Sequence, residues 1–302
     1  MTPVPHPIAP ELLAVGETMA MVAPLTGGRL VDAAAFRVDA GGAESNVAVH
    51  VAALGHRSAW FSRLGADALG DRILGQLAAH GVDVSRVERD AARPTGVYVK
   101  DPGNGVRYYR TGSAASALAP PDADGVDLDG VRILHVSGIT AAISPTASAF
   151  LDRLVERARA SGVTVSFDVN HRPALWDTAT AAARTRELAE RADVVFVGRD
   201  EAEVLWGTAT AAEVRTLLPR THELIVKDGD VGATLFDGSG ELFVPALTVE
   251  VLEAVGAGDA FAGAYLSARL DGADPVDRLR AGHERAALAL QTTSDTIEEK
   301  TR

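Results

Sequence analysis

The chain has no cysteine in its 302 residues. Disulfides, thiolate metal sites and a cysteine nucleophile are therefore excluded, and a reducing compartment is permitted. Lysine is scarce as well, occurring only at Lys100, Lys227 and Lys300, so cationic chemistry rests mainly on arginine. The formal net charge of -12 leaves no basic surplus for nucleic acid. It does not bar an anionic small molecule, because a local arginine cluster outweighs a distant global field. No apolar run is long enough to span a bilayer. The opening MTPVPHPIAPELLAVGE has no basic region and is broken by prolines, so it is not a signal peptide. The expectation is a cytoplasmic protein without a membrane or nucleic-acid partner. There is no internal repeat, no Walker GxxxxGK[ST], and no GxGxxG after the early strand, which ends in AVGETMA.

What is present is an ordinary globular composition, 47% hydrophobic and 23% charged. Short apolar runs at Leu12 to Val15, Val131 to Val136, Val163 to Phe167, Val194 to Val197 and Leu224 to Val226 predict buried strands. Amphipathic helices are predicted between them, from about Ser144 to Ser161 and about Thr178 to Arg191. Strands alternating with helices imply an α/β protein with a parallel sheet covered on both faces. Val22 to Asp39 and Thr95 to Gly112 break this rhythm with short alternating strands and no helix. The turn Asp101-Pro102-Gly103-Asn104-Gly105 marks a β-hairpin in the second. These segments predict a small separate sheet, a lid over a site. The polar tail from Gln291 reads as fraying at its end.

Four stretches carry candidate chemistry. In AGGAESNVAVHVAALG, Gly41 and Gly42 allow a close backbone approach, and Asn46 can hydrogen-bond a hydroxylated ligand; a helix start with an adaptable cap is an equal alternative. In FDVNHRPALW, Asp168, Asn170 and Arg172 follow a buried strand, where ligands of open α/β sheets sit. A lone His171 there is expected to be solvated. In RYYRTGSA, Tyr108 and Arg110 share one face of a strand, and such rings and guanidinium groups suit a sugar and a carboxylate; a solvated edge strand is the bland alternative. In EAVGAGDAFAGAYL, the turn Gly256-Ala257-Gly258 opens a helix, and a helix N-terminus attracts anions. Asp259 is either a cap or a base for the attacking hydroxyl in phosphoryl transfer. The helix field is expected to favour its ionised form.

GGAESNVAVHVAALG and EAVGAGDAFAGAYL resemble the two signatures of the ribokinase-like (PfkB) carbohydrate kinases, and the similarity extends from about Leu13 to Asp295. The resemblance implies a three-layer α/β/α fold with a mainly parallel central sheet and a small β lid, as one kinase domain over 1–302 with lid segments near 22–39 and 95–112. It implies Gly256, Ala257 and Gly258 as anion hole and Asp259 as catalytic base, with ATP and Mg²⁺ as cofactors. YYRTGSAASALAP, HVSGITAAIS and FDVNHRPALW are most similar to the 2-keto-3-deoxygluconate kinases of that family. By that likeness an acidic sugar is held by Gly42, Asn46, Tyr98, Tyr108, Arg110, Arg172 and Asp295. VKDGDVGATLF resembles a nucleotide-side segment and implies Lys227, Gly229 and Gly232. His283 stands where that side often has Asn, and Glu201 matches an acid that influences Mg²⁺. Gly198 replaces the usual Asn before Glu201, and Glu253-Ala254 replaces the usual Asp-Thr, which puts a monovalent-cation site in doubt. Lid pairing implies a homo-oligomer, with Trp60 or Phe36 in the contact or in the core. The alternatives are a fructokinase or other neutral-sugar or nucleoside kinase, and a non-catalytic sugar-binding protein on the same fold.

Overall fold

The computed structural model describes residues 9–292. Asp295 and the end of the polar tail lie outside the described residues. The strands are β1 (Leu12–Val15), β2 (Met19–Pro24), β3 (Phe36–Gly41), β4 (Ser58–Phe61), β5 (Arg63–Gly65), β6 (Glu88–Asp90), β7 (Val97–Asp101), β8 (Gly105–Tyr109), β9 (Ile133–Ser137), β10 (Thr164–Asp168), β11 (Val194–Gly198), β12 (Glu223–Asp228), β13 (Gly232–Asp237) and β14 (Gly240–Pro245). The helices are α1 (Ala43–Ala53), α2 (Ala68–Ala79), α3 (Pro120–Gly125), α4 (Gly138–Ala142), α5 (Pro145–Ala160), α6 (Thr178–Arg191), α7 (Arg199–Trp206), α8 (Ala211–Leu217), α9 (Ala257–Leu270) and α10 (Pro275–Leu290).

Among the described residues, eight strands form the main sheet in the order β14-β13-β12-β11-β10-β9-β1-β4. The six from β12 to β4 run parallel, with Leu12 beside Ile133 and Ser58, and Ser166 beside Val194. All five apolar runs read as strands are in this parallel block. Their residues are buried on both faces, which explains why they read as continuous rather than alternating apolar runs. The two helices read from periodicity are α5, capped by the Ser144 hydroxyl on the Ala147 N–H at 3.0 Å, and α6, capped by Asp177 on Thr180 at 2.9 Å. One core face holds Phe150, Leu154 and Leu188 against Val165 and Val195. The other holds Phe261, Tyr265 and Val51 against Leu12, Phe196 and Ile225. The structure is thus three-layered, α/β/α.

The lid is a four-stranded sheet, β3-β2-β7-β8. Its first segment starts earlier than the sequence suggests. β2 begins at Met19, because Gly16-Glu17-Thr18 breaks the chain between β1 and an apolar run that otherwise reads as one strand with it. The hairpin at Asp101–Gly105 is as read, with Tyr98 opposite Tyr108. The antiparallel pair β13–β14 extends the main sheet where only a glycine-bearing nucleotide segment was expected. Trp60 is wholly buried in the core and donates to the Gly16 carbonyl at 3.2 Å, whereas Phe36 is exposed on the lid.

Candidate active site

The carboxyl ends of β1, β9, β10, β11 and β12 open on one side of the parallel sheet, the end where α/β folds gather ligands. α9 begins at the same end. Gly256 precedes it with φ 85, a left-handed conformation that any side chain would strain, and no side chain caps the helix. The Ala257 N–H turns back to the Ala254 carbonyl at 3.4 Å, while no side chain caps the N–H groups that follow it, as an anion site requires. Asp259 lies in the first turn of this helix and accepts a hydrogen bond from Asn46 Nδ2 at 2.8 Å. The helix field does not keep its carboxyl in the ordinary range. Loss of hydration pushes it up to about 7, and the nearby Asp168 adds to this, against the opposing effects of Asn46, Arg172 and Lys227.

Lys227 ends the apolar part of β12, and its ammonium contacts Asp168 at 3.0 Å. A Cβ placed on Gly258 would lie 3.4 Å from the Lys227 Nζ, so this charge sits beside the anion turn. Burial would lower the Lys227 pKa, but Asp168, Glu201 and Asp259 hold it above the usual lysine value. The residues assigned to the nucleotide and to the base thus meet at one point. Asn170 follows with φ 43, the one non-glycine with positive φ among the described residues. That turn carries Arg172, whose guanidinium donates to the His171 carbonyl at 3.0 Å and whose charge acts on Asp259.

Arg110, Tyr98 and Tyr108 form the lid side. The Tyr98 and Tyr108 rings lie 5.9 Å apart, and the Arg110 guanidinium sits 5.7 Å over the Tyr108 ring. The shared face read from alternation is present. The Tyr98 hydroxyl lies over Gly41 so closely that a Cβ there would overlap it, and a Cβ on Gly42 would come within 2.5 Å of the Glu17 carbonyl. Arg110 is not a free cation: its Nε donates to Glu17 Oε2 at 2.7 Å. At the lid tip Lys100 pairs with Glu253, the residue that replaces the family's usual acid before the anion turn. A cleft of about 680 Å³ runs between lid and turn there, lined by Arg37, Lys100, Asp101, Leu252, Glu253 and Val255. A smaller surface hollow of about 430 Å³, near Arg186 and Thr216, is remote from these groups.

Other predicted positions have local structural duties. Glu201 accepts from the His171 N–H at 2.8 Å and the Gly198 N–H at 2.9 Å, so both oxygens pin strand-end loops. Desolvation and the charge of Asp168 raise its pKa. Among the described residues no group of three or more histidine or acidic side chains could hold a metal alone. The His283 Nε2 contacts the Val244 carbonyl at 3.0 Å, and its ring packs edge-on to Phe261. Gly229 has φ 51 and opens toward free space in the β12–β13 turn, while Gly232 is crowded by β14. His171, expected to be solvated, is buried, and both ring nitrogens lack partners.

The pattern that defines the pfkB family carbohydrate kinases matches residues 9–302. The chain belongs to that family. It is an enzyme, a carbohydrate kinase with the ribokinase-like fold. Over 294 residues the kinase is 37% identical to a 2-dehydro-3-deoxygluconokinase of Bacillus subtilis (strain 168), covering 94% of this chain and 91% of that one. It is 34% identical over 292 residues to a 2-dehydro-3-deoxygalactonokinase of Haloferax volcanii, covering 94% and 91%. A solved PfkB protein from Polaromonas sp. JS666 matches with a TM-score of 0.87 at 36% identity, covering 94% of this chain and 96% of that one.

Sequence reasoning missed two buried acids of this kinase. Glu17 reads as a turn residue in AVGETMA. Glu44 reads as a first-turn helix acid, but it is wholly buried, accepting from Ser137 Oγ at 2.6 Å and Thr140 Oγ1 at 2.9 Å. Burial raises its pKa. The only available signal was an acid close after glycine in each motif, Glu17 directly after Gly16 and Glu44 two residues after Gly42.

Proposed function

We propose that this kinase transfers the γ-phosphoryl group of ATP to the 6-hydroxyl of a 2-keto-3-deoxy sugar acid, the gluconate or its galactonate epimer. One observation carries the reading. Asp259, Lys227 and the open N-terminus of α9 converge at the carboxyl end of the sheet, beneath a lid that bears Arg110 and a tyrosine pair. The sugar-acid kinases among the relatives support the choice of substrate.

In this reading the sugar hydroxyl gives its proton to Asp259 as its oxygen attacks phosphorus, and ADP leaves. The backbone N–H groups of Gly256, Ala257 and Gly258 and the Lys227 ammonium stabilise charge on the moving group. Mg²⁺, held by the nucleotide, neutralises phosphate charge when bound. The lid excludes water that would otherwise hydrolyse ATP. A base must be ionised, and Asp259 is half protonated near pH 7. kcat/KM for the sugar is therefore expected to rise with pH through about 7 and level off above it. Initial rates from pH 5.5 to 8.5 check this, and a flat profile across that range contradicts it.

Arg110 and Arg172 distinguish a sugar acid from a neutral sugar, since a guanidinium binds a carboxylate through paired N–H bonds. Arg110→Met is expected to raise KM for the acid by roughly 10- to 100-fold, the scale of a lost charge-assisted hydrogen bond. It should change KM for the matching neutral 3-deoxyketose little. Equal effects on both sugars would remove the carboxylate argument. A second reading, a neutral-sugar kinase, is favoured by the pairing of Arg110 with Glu17, which already satisfies its charge. The exposed Leu25, Val31, Phe36 and Tyr109 on the lid support a homo-oligomer formed through that sheet.

A further inference from the structure

Glu17 and Arg110 join the two ends of the lid. Glu17 follows β1 of the main sheet and precedes β2 of the lid, while Arg110 and Ser113 follow β8, where the chain leaves it. Glu17 is 2% exposed and Arg110 9%. The Glu17 carboxylate uses both oxygens: Oε2 accepts from Arg110 Nε at 2.7 Å, and Oε1 accepts from Ser113 Oγ at 2.6 Å. A Cβ on Gly96, just before the neighbouring lid strand, would lie 2.9 Å from Glu17 Oε1, so the absence of a side chain there makes room for the carboxylate.

A buried ion pair of this kind adds little net stability compared with apolar packing, although breaking one side of it is costly. Its placement has a clearer consequence for orientation. The guanidinium is held along one edge by Glu17, with its carbon 5.7 Å from the Tyr108 ring centroid. Nη2 is also paired with Glu17 Oε2, so the carboxylate engages the guanidinium along a whole edge. The pair also cancels most of the local positive charge, so a ligand carboxylate meets fixed N–H directions rather than a mobile cation.

We propose that Glu17 is a positioning residue for substrate binding: by holding Arg110 over Tyr108 it presents the guanidinium to the sugar in one orientation. This rests on the sugar-kinase reading above, and it assigns to Glu17 no contact with the reacting atoms. The test is a double-mutant cycle with Glu17→Gln, Arg110→Met and the pair, run on whichever sugar the wild type phosphorylates. Glu17→Gln is expected to raise KM about 10-fold and leave kcat within about twofold, and to add little once Arg110 is Met. Ser113→Ala loosens the same carboxylate from its other side. It should raise KM about threefold, again only while Arg110 is present, and it serves if Glu17→Gln melts early by circular dichroism. A fall in kcat with unchanged KM, or full additivity with Arg110→Met, would overturn the proposal. If the working sugar proves neutral, the sugar-acid reading fails, while the additivity of the cycle still decides the role of Glu17.

Discussion

Asp259→Asn is expected to lower kcat by roughly 10²- to 10⁴-fold, the usual contribution of a positioned general base, with sugar affinity close to wild type. The amide has the shape of the carboxylate, and its oxygen can still accept from Asn46 Nδ2, which now does so at 2.8 Å. The first turn of α9 therefore keeps its position, and so do the anion-binding N–H groups of Gly256 to Gly258. What disappears is the ability to take a proton from the attacking hydroxyl. The pH dependence of the remaining activity should lose its limb near 7, because that limb belongs to this carboxyl. Rapid-quench measurement of ADP, with calorimetry of sugar binding, separates the two effects. Turnover within a few-fold of wild type would remove Asp259 from the role of base.

Lys227→Met carries the second large effect. The methionine keeps an apolar stem of similar length but lacks the ammonium that touches Asp168 and stands beside Gly258. Two losses follow. Asp168, which is nearly buried, already has one oxygen without a hydrogen bond and would lose its ion pair with Lys227. Breaking a buried pair in this way costs about 3–5 kcal/mol, and Tm should fall by several degrees. The second loss is electrostatic stabilisation of the phosphates, expected to reduce kcat/KM for ATP by roughly 10²- to 10³-fold. Lys227→Met with Asp168→Asn separates them. The double variant should regain most of the lost Tm, because no unpaired charge remains, and should keep the ATP defect. Recovery of activity together with stability would mean that Lys227 only supports the fold.

Local chemistry made much of this arrangement legible in the sequence. The parallel strands showed as short runs apolar on every residue because helices cover both faces of the sheet. The lid showed because an Asp-Pro-Gly-Asn-Gly turn between aromatic strands has no place in a βα repeat. Tyr108 and Arg110 were expected on one face from strand alternation alone, and they stand there. Pairings across the chain were not legible. Asn46 meets Asp259 from a helix that begins more than two hundred residues earlier, and Lys227 of β12 meets Asp168 at the end of β10, with β11 between them. The ionised state expected for Asp259 followed from the helix field; the desolvation that opposes it depends on what packs around the turn. Glu17 and Glu44 were missed for the same reason, since an acid in a glycine turn or in a helix first turn reads as solvated until the tertiary fold buries it. The β13–β14 pair was missed because its outer strand is largely exposed and carries weak apolar alternation.

The most direct test of the central claim is ADP release by the wild-type protein with ATP and Mg²⁺, across 2-keto-3-deoxygluconate, its galactonate epimer, fructose, ribose and adenosine. Strong turnover confined to the two keto-deoxy acids, with phosphate found on the 6-oxygen of the product, is the expected result. Turnover confined to fructose, ribose or adenosine would contradict the sugar-acid assignment and leave Arg110 as a structural partner of Glu17.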